Sequence, residues 1–100
     1  MNWELKQQLV TLGNCAYRDF ESNKSFQDFV IENISNFDNQ SWDIFITVSE
    51  LSVEIMKQNL DYWLKIYEQI KTLNQSDFGF RTLMRIGLIE TICQDEFHFS

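Results

Sequence analysis

The sequence predicts an all-α fold: a compact bundle of four to five helices formed by one domain over residues 1–100. Three observations favour this fold. The chain has no proline and only three glycines, so few residues interrupt a helical backbone. Its apolar residues, 44% of the total, recur at spacings of three and four, which is the period of a helix face. A length of 100 residues is usual for a single domain.

Residues 3–20 predict a first amphipathic helix. One apolar stripe has spacings of three and four and is expected to face the core: Leu5, Leu9, Leu12, Ala16 and Phe20. A second, thinner stripe of Trp3, Val10 and Tyr17 recurs every seven residues on another side. We expect two neighbouring helices of the chain to cover these stripes, and the alternative is an apolar line left for a partner.

A second helix is predicted from a cap at Ser25 to about Phe37. Residues 21–24 are polar and typical of a turn, and Ser25 followed by Asp28 indicates an N-cap with an acid in the first turn. The predicted core side of this helix is apolar: Phe26, Phe29, Val30, Ile34 and Phe37. Residues 38–41 break the pattern and offer the next cap.

The segment 42–73 keeps one helical phase, with its polar residues in one sector about 100° wide. One helix of this span would be about 47 Å long, whereas a compact domain of this size has a radius of gyration of about 13 Å. A continuous helix and a break near Gln58 and Asn59 are therefore equally supported. A short strand at 42–48 is a further alternative, because that stretch is rich in β-branched and aromatic residues, although no second strand is evident to pair with it.

Residues 80–93 predict the last helix. Its apolar residues surround it almost completely, so we expect it to be the central element, with Gly87 allowing another helix to approach closely. A loop at 74–77 precedes it and ends in a cap. The tail 94–100 has no helical period, and Phe97 and Phe99 are candidates to fold back onto the surface.

No set of residues predicts catalysis, a metal site or a cofactor. The single histidine, His98, lies two residues from the last residue, where a reacting geometry is difficult to hold. Cys93 with His98 would supply two metal ligands, whereas zinc sites need three or four. The glycines are too scattered for a phosphate-binding loop. We therefore expect a protein that is not an enzyme and uses no cofactor and no metal.

The cysteines and the N-terminal residues predict a cytoplasmic protein. Cys15 and Cys93 lie far apart within helical patterns and are expected to be reduced and buried. The first residues lack the basic and apolar regions of a secretory signal. No apolar run reaches the length of a membrane span, so no membrane partner is expected.

The acidic charge is concentrated in one part of the chain. Eight basic residues face 15 acidic ones, which disfavours direct nucleic-acid binding because phosphates require clustered Lys and Arg. No basic residue lies between Lys24 and Lys57. The predicted partner-binding residues are the carboxylates of this region and the next one along the chain: Asp28, Glu32, Asp38, Asp43, Glu50, Glu54 and Asp61. Such a negative field attracts a basic protein partner, and the alternative is that it serves solubility alone.

In size, charge and helicity the chain resembles the small immunity proteins that neutralise bacterial toxins, including those paired with colicins or contact-dependent inhibition toxins. The resemblance concerns the general character of the whole chain and includes no family motif, so it assigns no residue a role. It implies an inhibitor that binds a basic toxin domain, such as a nuclease, with carboxylates in the place of phosphates. The alternatives are a phage-encoded inhibitor, such as an anti-CRISPR nucleic-acid mimic, and a homo-oligomeric helical scaffold built on Trp3, Val10 and Tyr17. The oligomeric state is left open, with a monomer preferred.

Overall fold

The computed structural model describes residues 3–99, with the backbone alone for residues 96–99. This part of the chain contains six α-helices and no strand, which confirms the predicted all-α class and exceeds the expected number of helices by one. The helices are α1 (Trp3–Cys15), α2 (Phe20–Asn33), α3 (Asn39–Val48), α4 (Val53–Gln58), α5 (Leu60–Ile70) and α6 (Phe80–Phe99). Short 3₁₀ helices span Ile34–Asn36 and Gln75–Asp77. The helices belong to two compact units, unit 1 (residues 1–50) and unit 2 (residues 51–100). The single domain over 1–100 stays a prediction.

Capping aspartates set the starts of α2 and α3. Asp19 Oδ1 accepts a hydrogen bond from the Ser22 backbone N–H at 2.8 Å, and Asp38 Oδ1 accepts one from the Ser41 backbone N–H at 2.8 Å. Both bonds satisfy N–H groups that have no partner within the helix. The cap predicted within 38–41 is confirmed.

The helix boundaries around residues 16–25 differ from the prediction. The first helix ends at Cys15 rather than at residue 20, and α2 begins five residues before Ser25. Residues 21–24, expected to form a turn, are the first turn of α2. Phe20, expected in the core, is 81% exposed. Asp19 and Ser25 are both good capping residues, and sequence alone does not decide between them.

Aromatic and aliphatic side chains of α2 and α3 form the core of unit 1. Phe26 and Val30 are buried on α2, as predicted, and Trp42, Phe45 and Ile46 are buried on α3. The Trp42 and Phe45 rings pack edge to face with centroids 5.9 Å apart, an arrangement that aromatic pairs favour. The strand alternative at 42–48 is wrong: the buried positions have helical spacing, and the described residues contain no strand to pair with it.

Gly13 allows α1 and α3 to approach closely. A Cβ atom built on Gly13 would lie 2.5 Å from Val48 Cγ2 and 2.8 Å from Val48 Cβ, closer than packed atoms come. The close approach predicted at Gly87 is wrong. A Cβ built on Gly87 meets no atom of the described residues within 4 Å.

The segment 42–73, whose polar residues keep one helical phase, is divided among three helices. Asn59 separates α4 from α5, and its side chain donates a hydrogen bond to the Ile55 carbonyl at 3.0 Å, so of the two alternatives the structure has the break near Gln58 and Asn59 rather than the continuous helix. A second break at 49–52 was not predicted, because the polar phase continues across it. Ser52 caps α4 there by accepting a hydrogen bond from the Ile55 N–H at 3.2 Å.

In unit 2, α6 buries one side rather than being surrounded. Ile86, Ile89 and Ile92 are buried, whereas Phe80 and Met84 are exposed, so the prediction of a central element is wrong. The helix also continues to Phe99 instead of ending at Cys93, because residues 94–100 include no glycine or proline to stop it. The predictions for the side chains of Phe97, His98 and Phe99 lie outside the described residues.

Cys93 is buried between α6 and α5. Its Sγ donates a hydrogen bond to the Trp63 carbonyl at 3.5 Å, and burial raises the pKa of this thiol to about 11. Both cysteines are free thiols, as predicted, with Cys93 buried and Cys15 half-buried. A protonated, enclosed thiol is a poor nucleophile.

Candidate partner-binding surface

The seven predicted partner-binding residues are divided between the two units. Five of them lie in unit 1: Asp28, Glu32, Asp38, Asp43 and Glu50. Glu54 and Asp61 lie in unit 2, in the first turns of α4 and α5, where a negative charge is favoured by the helix dipole. All seven are exposed except Asp43, which is half-buried. Unit 1 therefore carries most of the predicted set.

Two carboxylates of unit 1 are paired with lysines. Lys24 Nζ lies 3.0 Å from Asp28 Oδ2, one helical turn away on α2. Lys6 Nζ comes from α1 and lies 3.1 Å from Asp38 Oδ2. Two of the seven predicted carboxylates are therefore partly neutralised within the chain. The sequence segment lacks basic residues, but the fold brings a lysine to it from outside.

Asp38 has a structural role as well as a charge. The hydrogen bond from the Ser41 backbone N–H lowers the pKa of Asp38, and the bond from Lys6 lowers it further. The Lys6 ammonium also donates a hydrogen bond to Gln40 Oε1 at 2.8 Å. A carboxylate engaged in this way has fewer lone pairs available for a partner.

Glu50 and Tyr17 are joined by a hydrogen bond that spans 33 residues of sequence. The Glu50 backbone N–H donates to the Tyr17 hydroxyl oxygen at 2.7 Å. Partial burial raises the pKa of Tyr17 by more than the hydrogen bond from the Glu50 backbone lowers it, and the negative charge of Glu50 raises it further, so the phenol is neutral at physiological pH. The bond fixes the Tyr17 ring beside an exposed acidic residue.

Further acidic and aromatic residues follow Tyr17 along the chain. They are Asp19, Phe20 and Glu21. All are exposed, and Arg18 is the basic residue of the same turn. The hydrogen bond from the Ser22 N–H lowers the pKa of Asp19, which keeps that carboxylate ionised. Sequence analysis did not select Asp19, Phe20 and Glu21, because they precede the basic-free segment.

The second stripe of α1 is exposed. Trp3 is 62%, Val10 40% and Tyr17 38% accessible to solvent. Two neighbouring helices, α2 and α3, do pack against α1, as expected, but they leave this stripe exposed rather than covered. Exposed large aromatic side chains favour contact with another molecule, because their burial contributes strongly to binding.

Two structural features bear on chemistry and location. Among the residues that the structure describes, no group of three or more His, Cys, Asp and Glu side chains is placed to hold a metal ion. None of the described helices combines the length and the apolar character needed to cross a bilayer. The predictions of no cofactor and no enzymatic activity stay predictions.

Comparison with protein-family models, with curated proteins and with solved structures found no match for this chain. The function is therefore inferred from the chain's own surface. That surface carries exposed carboxylates and exposed aromatic side chains within unit 1.

Proposed function

We propose that this protein is an inhibitor of the immunity-protein type, which binds a basic protein domain such as a nuclease toxin through unit 1. Tyr17 and Phe20 are the aromatic anchors, and Glu50 is the principal charge. The hydrogen bond between Tyr17 and Glu50 is the observation that supports this function best, because it ties an exposed aromatic ring to the backbone of an exposed acidic residue.

Tyr17 and Glu50 favour binding because their hydrogen bond orders them before a partner arrives. An aromatic side chain buries a large area while losing few rotamers, and tyrosine is enriched among the residues that dominate interfaces. Because the Tyr17 hydroxyl is already bonded to the Glu50 backbone, the ring loses less freedom when a partner covers it. Phe20 adds a second ring three residues further along the chain.

The carboxylates of unit 1 contribute unequally. Asp28 and Asp38 are already paired with lysines, so their fields are partly neutralised within the chain. Glu32 and Glu50 are exposed, and we assign them the larger share of the attraction for a basic surface. Opposite charges at long range raise the association rate more than they raise the final affinity.

Inhibition follows from occupying a surface that otherwise binds nucleic acid. A nuclease presents Lys and Arg side chains to phosphate groups. Carboxylates of the inhibitor pair with these side chains, and the aromatic anchors exclude water from the contact. We place this complex in the cytoplasm, and the inhibitor supplies no catalytic group.

Capture followed by a growth assay tests the proposal. The immobilised chain is exposed to lysate of its source cells at low salt, and the retained protein is identified and expressed alone. We expect a basic protein that arrests growth, and we expect coexpression of the chain to relieve the arrest. A phage-encoded inhibitor would instead retain a nucleic-acid-guided complex, and a purely structural protein would relieve nothing.

Two charge reversals provide the matched comparison. Glu50→Lys alters the proposed surface, whereas Glu68→Lys makes the same change on α5, where Glu68 pairs with Lys71 at 3.1 Å on the exterior. Glu50→Lys should weaken relief of growth arrest, and Glu68→Lys should preserve it. Equal loss in both variants, or a captured partner without a basic surface, contradicts the proposal.

A further inference from the structure

One side of α6 faces open space. Four of its residues form a surface that we call the α6 stripe: Phe80, Met84, Gly87 and Thr91. Phe80 is 78% and Met84 62% exposed, Thr91 is exposed, and the space over Gly87 is empty of described atoms. At 100° per residue, the four positions fall within a sector about 60° wide. Large exposed apolar residues aligned on one helix face indicate an interaction surface.

The α6 stripe has the shape to receive an antiparallel copy of itself. Its large residues, Phe80 and Met84, lie toward the start of the helix, and its small residues, Gly87 and Thr91, lie further on. An antiparallel pair of α6 helices that cross at Gly87 places Met84 of one copy against Thr91 of the other. The missing side chain at Gly87 lets the two helices come close at the crossing point.

Thr91 adds an apolar contact and leaves no polar group without a hydrogen-bond partner. Its hydroxyl donates a hydrogen bond to the Gly87 carbonyl at 2.8 Å within the helix. Burial of Thr91 against a second helix therefore leaves no hydroxyl without a partner.

The charges of α6 are distributed in a way that a single helix does not favour. Arg81 lies in the first turn, and Asp95 lies near the end, whereas a helix dipole favours acids at the start and bases at the end. In the antiparallel pair, Arg81 of one copy lies beside Asp95 of the other, with axial positions that differ by about 3 Å. Both residues are on the same flank of the stripe, which a two-fold axis perpendicular to the helices preserves. The pair therefore forms twice.

We propose that the partner of the α6 stripe is a second copy of this chain, in a symmetric antiparallel α6–α6 dimer. An interface of this kind is self-complementary, because every contact between two different residues occurs twice, once on each side of the two-fold axis. The proposal goes beyond inhibition of a basic protein and is independent of it. The α6 stripe belongs to unit 2, whereas Tyr17 and Glu50 belong to unit 1.

Sedimentation velocity of the purified chain, from about 1 μM to about 1 mM, tests the dimer across the range of weak to moderate affinities. We expect dimerisation that increases with concentration. Gly87→Leu should abolish the dimer by filling the crossing point. It should leave the helix content measured by circular dichroism intact, because Leu is a better helix former than Gly and the space is open. Trp3→Ala, on the exposed stripe of α1, is the control and should leave the dimer unchanged.

A charge swap tests the antiparallel register. Arg81→Asp and Asp95→Arg should each weaken the dimer roughly tenfold, because two ion pairs become two repulsive contacts. The double variant should return to within about twofold of the wild type, because the pairs are restored with reversed sign. A monomer at every concentration overturns the proposal, as does a dimer that survives Gly87→Leu. It is also overturned by a double variant as weak as the single ones, or by a dimer that Trp3→Ala removes.

Discussion

The Tyr17 hydroxyl accepts a hydrogen bond from the Glu50 backbone N–H at 2.7 Å. Tyr17 lies in the turn after α1, and Glu50 directly follows Ser49, the C-cap of α3, so the bond joins these two segments. The contact joins a backbone N–H to a phenol oxygen and involves no catalytic group. Its consequence is geometrical: an aromatic ring and an acidic residue from distant parts of the sequence hold one relative position. The predictions below test this contact and the packing that supports it.

Tyr17→Phe should keep the ring and remove the acceptor for the Glu50 N–H. Because the bond is at the surface, water replaces it in part, and the free energy of unfolding should fall by about 0.5–1.5 kcal/mol. Urea denaturation measures this change. Tyr17→Phe and wild type should have the same m-value, and a stability unchanged within error would mean that the bond fixes nothing.

Gly13→Ala should destabilise the protein, whereas Gly87→Ala should not. The added methyl group at Gly13 meets Val48, and overpacking of this kind costs about 1–3 kcal/mol, of which helix propensity returns up to about 1 kcal/mol. At Gly87, at concentrations low enough to keep the chain monomeric, only the gain in propensity applies, because the space over Gly87 is open in a single chain. Thermal unfolding of the two variants should therefore shift in opposite directions, and shifts in the same direction would contradict the packing.

Asp38→Ala should cost more stability than Asp38→Asn. Alanine removes the cap of α3, a loss of about 1 kcal/mol, whereas asparagine caps about as well as aspartate and loses only the pair with Lys6. Chemical denaturation of the two variants gives the comparison. Equal losses would indicate that the ion pair, rather than the cap, stabilises this position.

Acid should weaken the fold through Asp19 and Asp38. The hydrogen bonds to these carboxylates lower their pKa values in the folded state, so the unfolded chain binds more protons at acid pH. Their contribution is complete above the ordinary aspartate pKa of about 3.9 and is lost as the pH falls through the lowered values. Unfolding measured between about pH 5 and about pH 2 should show a smaller loss in the double variant Asp19→Asn, Asp38→Asn. If the double variant lost as much stability at acid pH as the wild type, the proposed contribution of the two capping carboxylates would be contradicted.

The Cys93 thiol should titrate well above an ordinary cysteine. Burial raises the pKa of Cys93 to about 11, and in a Cys15→Ser background the thiolate absorbance should rise near that pH. Because the folded pKa is above the unfolded one, the contribution of this group to stability is complete below the unfolded pKa of about 8.5 and is lost as the pH rises toward about 11. A thiolate that forms near the ordinary value would show that Cys93 is not enclosed.

Local sequence rules predicted the features of the fold that depend on neighbours in the chain. The absence of proline and the three-and-four spacing predicted the helical class, and residue types predicted the cap within 38–41. The break at Asn59 was left open, because helical phase favoured one helix and compactness favoured two. The start of α2 was not predicted, because Asp19 and Ser25 both suit a cap. Which glycine meets another helix was not predicted either, because the choice between Gly13 and Gly87 depends on tertiary packing.

The candidate site was only partly predictable for the same reason. Helical phase predicts the exposure of the carboxylates that lie on helices, with Asp43 as the half-buried exception, whereas Asp38 and Glu50 are exposed in the segments before and after α3. The pairing of Lys6 with Asp38 and the bond between Tyr17 and Glu50 each join α1 or its following turn to the region of α3. Contacts between elements that are far apart in sequence cannot be recognised from hydrophobic periodicity or from runs of charged residues.

The salt dependence of association with the captured basic protein tests the proposed function most directly. Stopped-flow rates would be measured between about 50 mM and about 200 mM salt for the wild type, Tyr17→Ala, Glu50→Lys and Glu68→Lys, a range over which steering by charge changes strongly. Glu50→Lys should slow association and flatten its salt dependence, Tyr17→Ala should mainly raise the dissociation rate, and Glu68→Lys should resemble the wild type. Rates and salt slopes that are the same in all four proteins would contradict binding through this face of unit 1.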